Sequence, residues 1–171
     1  MRSSWQSLSP GHAASQPSNI SSKRTAHSGR RLTQALAPMT GTVLRATGSA
    51  KAVRTFLAST HWQPCATYFR GEPRGILSTR KHIASGFNLS ISNASGTNLS
   101  AQVRAALKFL GKEYDELARL SSLGLTGALD FGVTSGVEAA ASFYRFPAEL
   151  VASLATASLS LEVSYYGPQG R

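Results

Sequence analysis

From Gly86 onward the apolar residues change period twice, and this switching constrains the fold more than any other feature of the chain. Phe87, Leu89 and Ile91 alternate with Asn88, Ser90 and Ser92. That is the two-residue period of a strand with one buried and one wet face. Val103, Leu107, Leu110, Tyr114 and Leu117 then recur at helical spacing, with Asn98 or Ser100 as cap and Gly124 as stop. Leu129, Phe131 and Val133 alternate with Asp130 and Gly132, and Ser135-Gly136 reads as a hairpin turn into a strand carrying Ala139, Ala141 and Phe143. Pro147 suits the first turn of a helix with Leu150, Val151 and Leu154 inward. Leu159, Leu161, Val163 and Tyr165 form a last alternating run, closed by Gly167-Pro168.

The order is β-α-β-β-α-β, the ferredoxin-like split βαβ arrangement. Upstream, residues 42–46 read as a strand, 50–59 as a helix with Val53, Phe56 and Leu57 inward, and 65–70 as a second strand. The expectation is therefore an α+β two-layer sandwich. Its sheet is mostly antiparallel with helices on one face, and the N-terminal βαβ unit extends it or packs on its edge.

Residues 39–171 are read as one domain behind an arm, residues 1–38. The arm holds Arg2, Lys23, Arg24, Arg30 and Arg31, no acid and no apolar period. Such a segment is expected to be disordered, because it cannot bury enough surface to offset its ordering entropy. An organelle transit peptide, a nucleic-acid or localisation signal, and a translated leader ahead of a start at Met39 compete to explain it. The leader is favoured, because regular patterning begins just after Met39. The charge is lopsided. Up to Lys81 there are twelve Lys and Arg against one acid, Glu72, and from His82 there are six against seven, for a net +10. A basic field favours nucleic acid, anionic surfaces and acidic proteins alike.

No run approaches the ~20 apolar residues of a membrane span, so no membrane partner is expected. One cysteine, Cys65, excludes an intrachain disulfide and a cysteine-rich zinc site, and it suits a reducing, cytoplasmic setting. No cofactor and no metal are expected.

Several stretches carry a resemblance. They are Leu44-Arg45-Ala46-Thr47-Gly48, Arg70-Gly71-Glu72, Ser85-Gly86-Phe87-Asn88-Leu89-Ser90-Ile91-Ser92, Phe146-Pro147-Ala148-Glu149-Leu150 and Leu161-Glu162-Val163-Ser164-Tyr165. Over residues 42–166 the chain resembles an uncharacterised bacterial family, the domain of unknown function four-two-seven-nine. The resemblance implies a bacterial-type domain with these boundaries, and it implies no activity, cofactor or catalytic residue.

Three constellations are candidates for chemistry. Asp130 and Glu162 lie at outward strand positions and, if neighbours, form an acid–base pair that His61 or His82 would assist. Arg70, Arg74, Arg80 and Lys81, with the loop glycines, are candidates to hold phosphate oxygens through guanidinium forks and backbone N–H groups. His61 and Cys65 are four apart, but Pro64 between them argues against helical geometry, and a lone cysteine at a strand start reads as a small core residue. Sheet-face RNA stacking is disfavoured, since the outward positions beside Phe87 are Asn88, Ser90 and Ser92, leaving only Tyr144 and Tyr166 as isolated platforms.

The function expected is that of a non-enzymatic binding or interaction domain with a protein partner, of the immunity or accessory type. A weak nucleic-acid or anionic-ligand binder using the basic loop is the alternative, and an acid–base hydrolase comes last. The arm yields the first prediction: truncation to residues 39–171 leaves the melting temperature nearly unchanged, within the ~0.5 kcal/mol scatter of surface changes. Thermal unfolding of the two chains checks it, and a drop of several degrees would make the arm part of the fold.

Overall fold

The computed structural model describes residues 41–134 and 143–167. The arm and the expected turn at Ser135-Gly136 lie outside them. So do Ala139 and Ala141 of the strand expected there, while Phe143 and Tyr144 at its end lie in irregular backbone.

The elements run β1 (Thr42–Gly48), α1 (Ala50–Leu57), β2 (Ala66–Tyr68), β3 (Ser85–Ser92), α2 (Leu99–Lys112), α3 (Tyr114–Ser122), β4 (Thr126–Thr134), α4 (Ala148–Thr156) and β5 (Leu159–Tyr166). The five strands form one sheet in the order β2-β3-β1-β4-β5. Three pairings are antiparallel, and β4–β5 is parallel. This is the expected α+β sandwich with a mostly antiparallel sheet. The place of the N-terminal unit differs from expectation: β1 sits at the centre of the sheet, not at an edge. β3 and β4 both run antiparallel to β1 and so parallel to each other, joined through α2 and α3. The unit is a split βαβ whose gap is filled by the first strand of the domain.

β1 earns the central position because both its faces are usable. Leu44 lies between Leu89 of β3 and Leu129 of β4, facing the helices. Arg45, one residue on, faces the other way between Asn88 and Ala128. Val53 and Phe56 of α1, Val103, Ala106 and Leu110 of α2, Leu117 and Leu120 of α3, and Leu150 and Leu154 of α4 join Leu44, Phe87, Leu129 and Phe131 in one buried cluster. Phe56 stacks on Phe87 with ring centroids 5.5 Å apart. All four helices therefore cover one face of the sheet.

Local chemistry sets the boundaries. Ser49 Oγ accepts from the Ala52 N–H at the start of α1, and Asn98 Oδ1 accepts from the Ala101 N–H at the start of α2. Gly124, with φ of +73°, ends α3 in the left-handed conformation that glycine adopts freely. Pro147 caps α4 from the position just before it.

The long helix expected between residues 98 and 124 is broken at Glu113, which caps α2 and leads into α3. Its inward stripe is Val103, Ala106, Leu110, Glu113, Leu117 and Leu120, so a carboxylate occupies a core slot. Glu113 is 7% exposed. Its Oε2 accepts from the Trp62 indole N–H at 2.9 Å and lies 2.9 Å from His61 Nε2, and its Oε1 lies 3.0 Å from Lys112 Nζ. Tyr114, expected inward, is half exposed beside this stripe. Val151 is likewise exposed, because the nine-residue α4 turns only the Leu150–Leu154 line to the core.

Burial works against the Glu113 charge, but the Trp62 and Lys112 hydrogen bonds and the nearby Lys112 and His61 charges outweigh it and hold the pKa below 4.5. Glu116, bonded by Arg119 and Thr60, is also lowered after the same contest with burial. A carboxylate whose folded pKa is depressed stabilises fully above its unfolded value and loses that contribution as pH falls through the folded one. Stability is thus expected to fall below pH 4.5, and Glu113→Gln to flatten the fall, as read by urea unfolding across that range. Glu113→Ala, which leaves the buried Trp62 N–H without an acceptor, is expected to cost about 1–3 kcal/mol at neutral pH.

Candidate functional site: a polar cup on the open face of the sheet

The face of the sheet away from the helices carries a cup of about 810 Å³. Its floor is Arg45 and Thr47 of β1, Asn88 of β3, and Ala66, Thr67 and Tyr68 of β2, and its wall is the loop that holds Glu72, Pro73, Arg74, Gly75, His82 and Ile83. Strand alternation supplies the floor. Arg45 is in register with Asn88, and Asn88 with Ala66, so the three strands present these residues on one side.

Arg45 is held from beneath. Its Nε and Nη2 both donate to Asp130 Oδ2, at 2.9 and 2.5 Å, and Ser164 Oγ of β5 donates to the same oxygen at 2.9 Å. The Asp130 side chain is 3% exposed and the Arg45 side chain 38%. Asp130 is therefore an anchor and Arg45 the group that meets solvent. Burial disfavours the Arg45 charge, but the hydrogen bond and charge of Asp130 outweigh it and raise its pKa above the ordinary arginine value.

Tyr68 stacks on His82 with centroids 4.4 Å apart and ring planes 17° from parallel. The ring lies across Gly86. A Cβ at Gly86 would sit 2.6 Å from the Tyr68 hydroxyl and 2.3 Å from the Ala46 carbonyl oxygen, so glycine is needed for this close approach. Burial raises the Tyr68 pKa, and the Arg45 and Arg74 charges offset that only in part. The phenol stays protonated at neutral pH and offers a donor to the cup. Asn88 Oδ1 and Asp130 Oδ1 are buried with no hydrogen-bond partner among the described residues.

The loop is a short hairpin. The Gly71 N–H donates to the His82 carbonyl, the His82 N–H to the Glu72 carbonyl and the Arg74 N–H to the Arg80 carbonyl, with Pro73 and Lys81 bridged. The four cations expected to hold one anion do not converge on a single cavity. Arg74 lines the cup. Arg70 lines a separate hollow of about 340 Å³ beside Ser49 and Ala50. Arg80 and Lys81 are exposed on the returning arm of the hairpin.

The acid–base pair is half present. Asp130 and Glu162 are in register on neighbouring strands, on the open face. Glu162 is exposed, but Asp130, expected to be wet, is buried and committed to Arg45 and Ser164. The carboxylate is instead held within the sheet by hydrogen bonds from Arg45 and Ser164. His61 is in the helix layer, bound to Glu113. Among the described residues no group of three or more His, Cys, Asp or Glu side chains comes together. Cys65 is exposed, not a core residue, and its thiol donates to the Asn88 carbonyl oxygen.

Sequence reasoning missed Arg45, Tyr68 and Asn88 as site residues. Arg45 was legible as the only charge in the strand TVLRATG, and Asn88 as an outward amide. Tyr68 carried no signal, since its place over Gly86 depends on the β2–β3 register. No family model, curated protein or solved structure matches the chain.

The anchor geometry predicts an asymmetry between the two partners. Arg45→Ala leaves the Asp130 carboxylate buried and unpaired and is expected to cost about 3 kcal/mol. Asp130→Ala leaves a guanidinium that rehydrates and is expected to cost about 1–2 kcal/mol. Urea unfolding of the two variants reads the difference, and a larger loss in Asp130→Ala would reverse the assigned roles.

Proposed function

We propose that residues 39–171 form a non-enzymatic, cytoplasmic binding domain that takes a small anionic ligand in the cup on the open face of the sheet. The observation that carries this reading is Arg45, a partly exposed guanidinium oriented by a buried carboxylate at the floor of the cup, with Arg74 in the wall. A guanidinium already oriented loses less freedom on binding, and planar bidentate recognition of carboxylate or phosphate is the use to which it is suited. The Tyr68–His82 stack supplies a flat apolar side, which fits a ligand with an acidic group on a planar body. The resemblance to the domain of unknown function four-two-seven-nine is compatible with this reading and adds no chemistry to it.

Other readings have less support. A phosphate pocket built from all four loop cations wants them around one cavity, and Arg70 and Arg74 line different hollows. An acid–base hydrolase wants a free pair, and Asp130 is bound by Arg45 while His61 is bound by Glu113. The immunity or accessory type carries over as the wider class, a binding domain without a reaction of its own.

The test is thermal shift and calorimetry on the full chain with phosphate, pyrophosphate, citrate and salicylate as probes. A ligand that binds only the folded state raises the melting temperature in proportion to its occupancy. At least one probe is expected to do so. Arg74→Ala is expected to weaken its binding tenfold or more, since a hydrogen bond to a charged group contributes about 1.5–3 kcal/mol. No shift with any probe, or an undiminished shift in Arg74→Ala and Tyr68→Ala, would sink the reading.

A further inference from the structure

We propose that the tip of the 71–82 hairpin is a contact for an anionic lipid surface. The tip presents two aliphatic side chains with nothing around them: Ile76 is 104% exposed and Leu77 97%, with Ile83 at the base of the hairpin 81% exposed. Single exposed aliphatics are ordinary, whereas Ile76, Leu77 and Ile83 lie exposed together on one hairpin. The tip is also preformed. The Ser78 N–H donates to the Gly75 carbonyl, the Arg80 N–H to Ser78 Oγ, and the Arg74 N–H to the Arg80 carbonyl, so little backbone freedom is lost on docking.

What surrounds the tip selects the partner. Arg74, Arg80 and Lys81 flank it and Arg70 stands at its foot, all exposed. The one acid of the hairpin, Glu72, is exposed at its base, where it accepts the Phe69 N–H at 2.8 Å. Aliphatic side chains ahead of a collar of cations match the layers of a membrane interface, with acyl chains beneath anionic headgroups. A nucleic acid fits the cations but not the tip, because Ile76 and Leu77 offer no ring on which a base can stack. The cytoplasmic leaflet carries the required negative surface potential. No helix among the described residues is long and apolar enough to cross a membrane, and a peripheral contact of this kind needs none. Arg74 and Ile83 also line the cup, whereas Ile76, Leu77, Arg80 and Lys81 do not, so substitutions at these four residues test this surface separately from the ligand proposed there.

The experiment is co-sedimentation of the full chain with phosphatidylcholine vesicles, alone or with roughly one-third phosphatidylserine, at rising salt. Binding is expected to the anionic vesicles only and to weaken with salt, as screening of exposed charges requires. Ile76→Asp with Leu77→Asp is expected to reduce it at least tenfold, with an unchanged melting temperature because neither side chain touches the fold. Arg80→Ala with Lys81→Ala is expected to reduce it by about fivefold per cation removed. The full chain keeps the basic residues 1–38 in every variant, so binding that survives the tip substitutions unchanged overturns the proposal. So does the absence of binding to anionic vesicles. An RNA oligonucleotide bound in preference to vesicles, lost in Arg80→Ala with Lys81→Ala but retained in Ile76→Asp with Leu77→Asp, also overturns it.

Discussion

Everything in the sheet hangs on β1, which pairs along both edges at once. Six of its seven residues are in register with both β3 and β4. Its alternation assigns the chemistry of both faces: Leu44 and Ala46 point into the helix layer, while Arg45 and Thr47 point to the open face. A strand at an edge tolerates slippage, but slipping this one by a residue would bring Arg45 into the core and expose Leu44. The register that packs the core is therefore the same register that puts a guanidinium at the floor of the cup.

Two buried carboxylates show how differently the faces use charge. Glu113 lies in the helix layer and is satisfied on both oxygens, tying the Trp62 loop to the break between α2 and α3. Its role is structural, because Trp62, His61 and Lys112 converge on it. Asp130 lies on the open face and is bonded through one oxygen, to a guanidinium that faces a cavity and to Ser164. It positions Arg45 rather than acting itself. Taking either carboxylate out of water costs several kcal/mol before its partners compensate, and only on the open face does that arrangement prepare a group for something outside the chain.

The strands and helices were largely legible in the residues, since their periods differ and both recur cleanly after Gly86. The errors cluster where one slot holds an unexpected residue. Glu113 occupies an inward position of the α2–α3 stripe, and a glutamate in a helix reads as a surface residue until its partners are known. Tyr114, one residue on, has the spacing of an inward residue but is half exposed. Cys65 read as core because cysteines usually are, yet it precedes an edge strand of three residues with little to cover it. Of the candidate site residues, Arg74 joins the cup, whereas Arg70, Arg80 and Lys81 are turned elsewhere by a hairpin whose closing bonds no motif announces.

The sequence by itself determined the class of fold, the apolar faces of β3 and β4, and the Asn98 cap and Gly124 stop that bound α2 and α3, because all of these follow from local period and local hydrogen bonding. The tertiary structure alone decided that the first strand lies between the third and the fourth. From that one placement come the Arg45–Asp130 pair, 85 residues apart in the chain, and the cup built on β1, β2 and β3. Period tells which side of a strand is wet, but it does not tell which strands are neighbours. A site assembled across strands depends on the long-range pairing that only the closed sheet supplies.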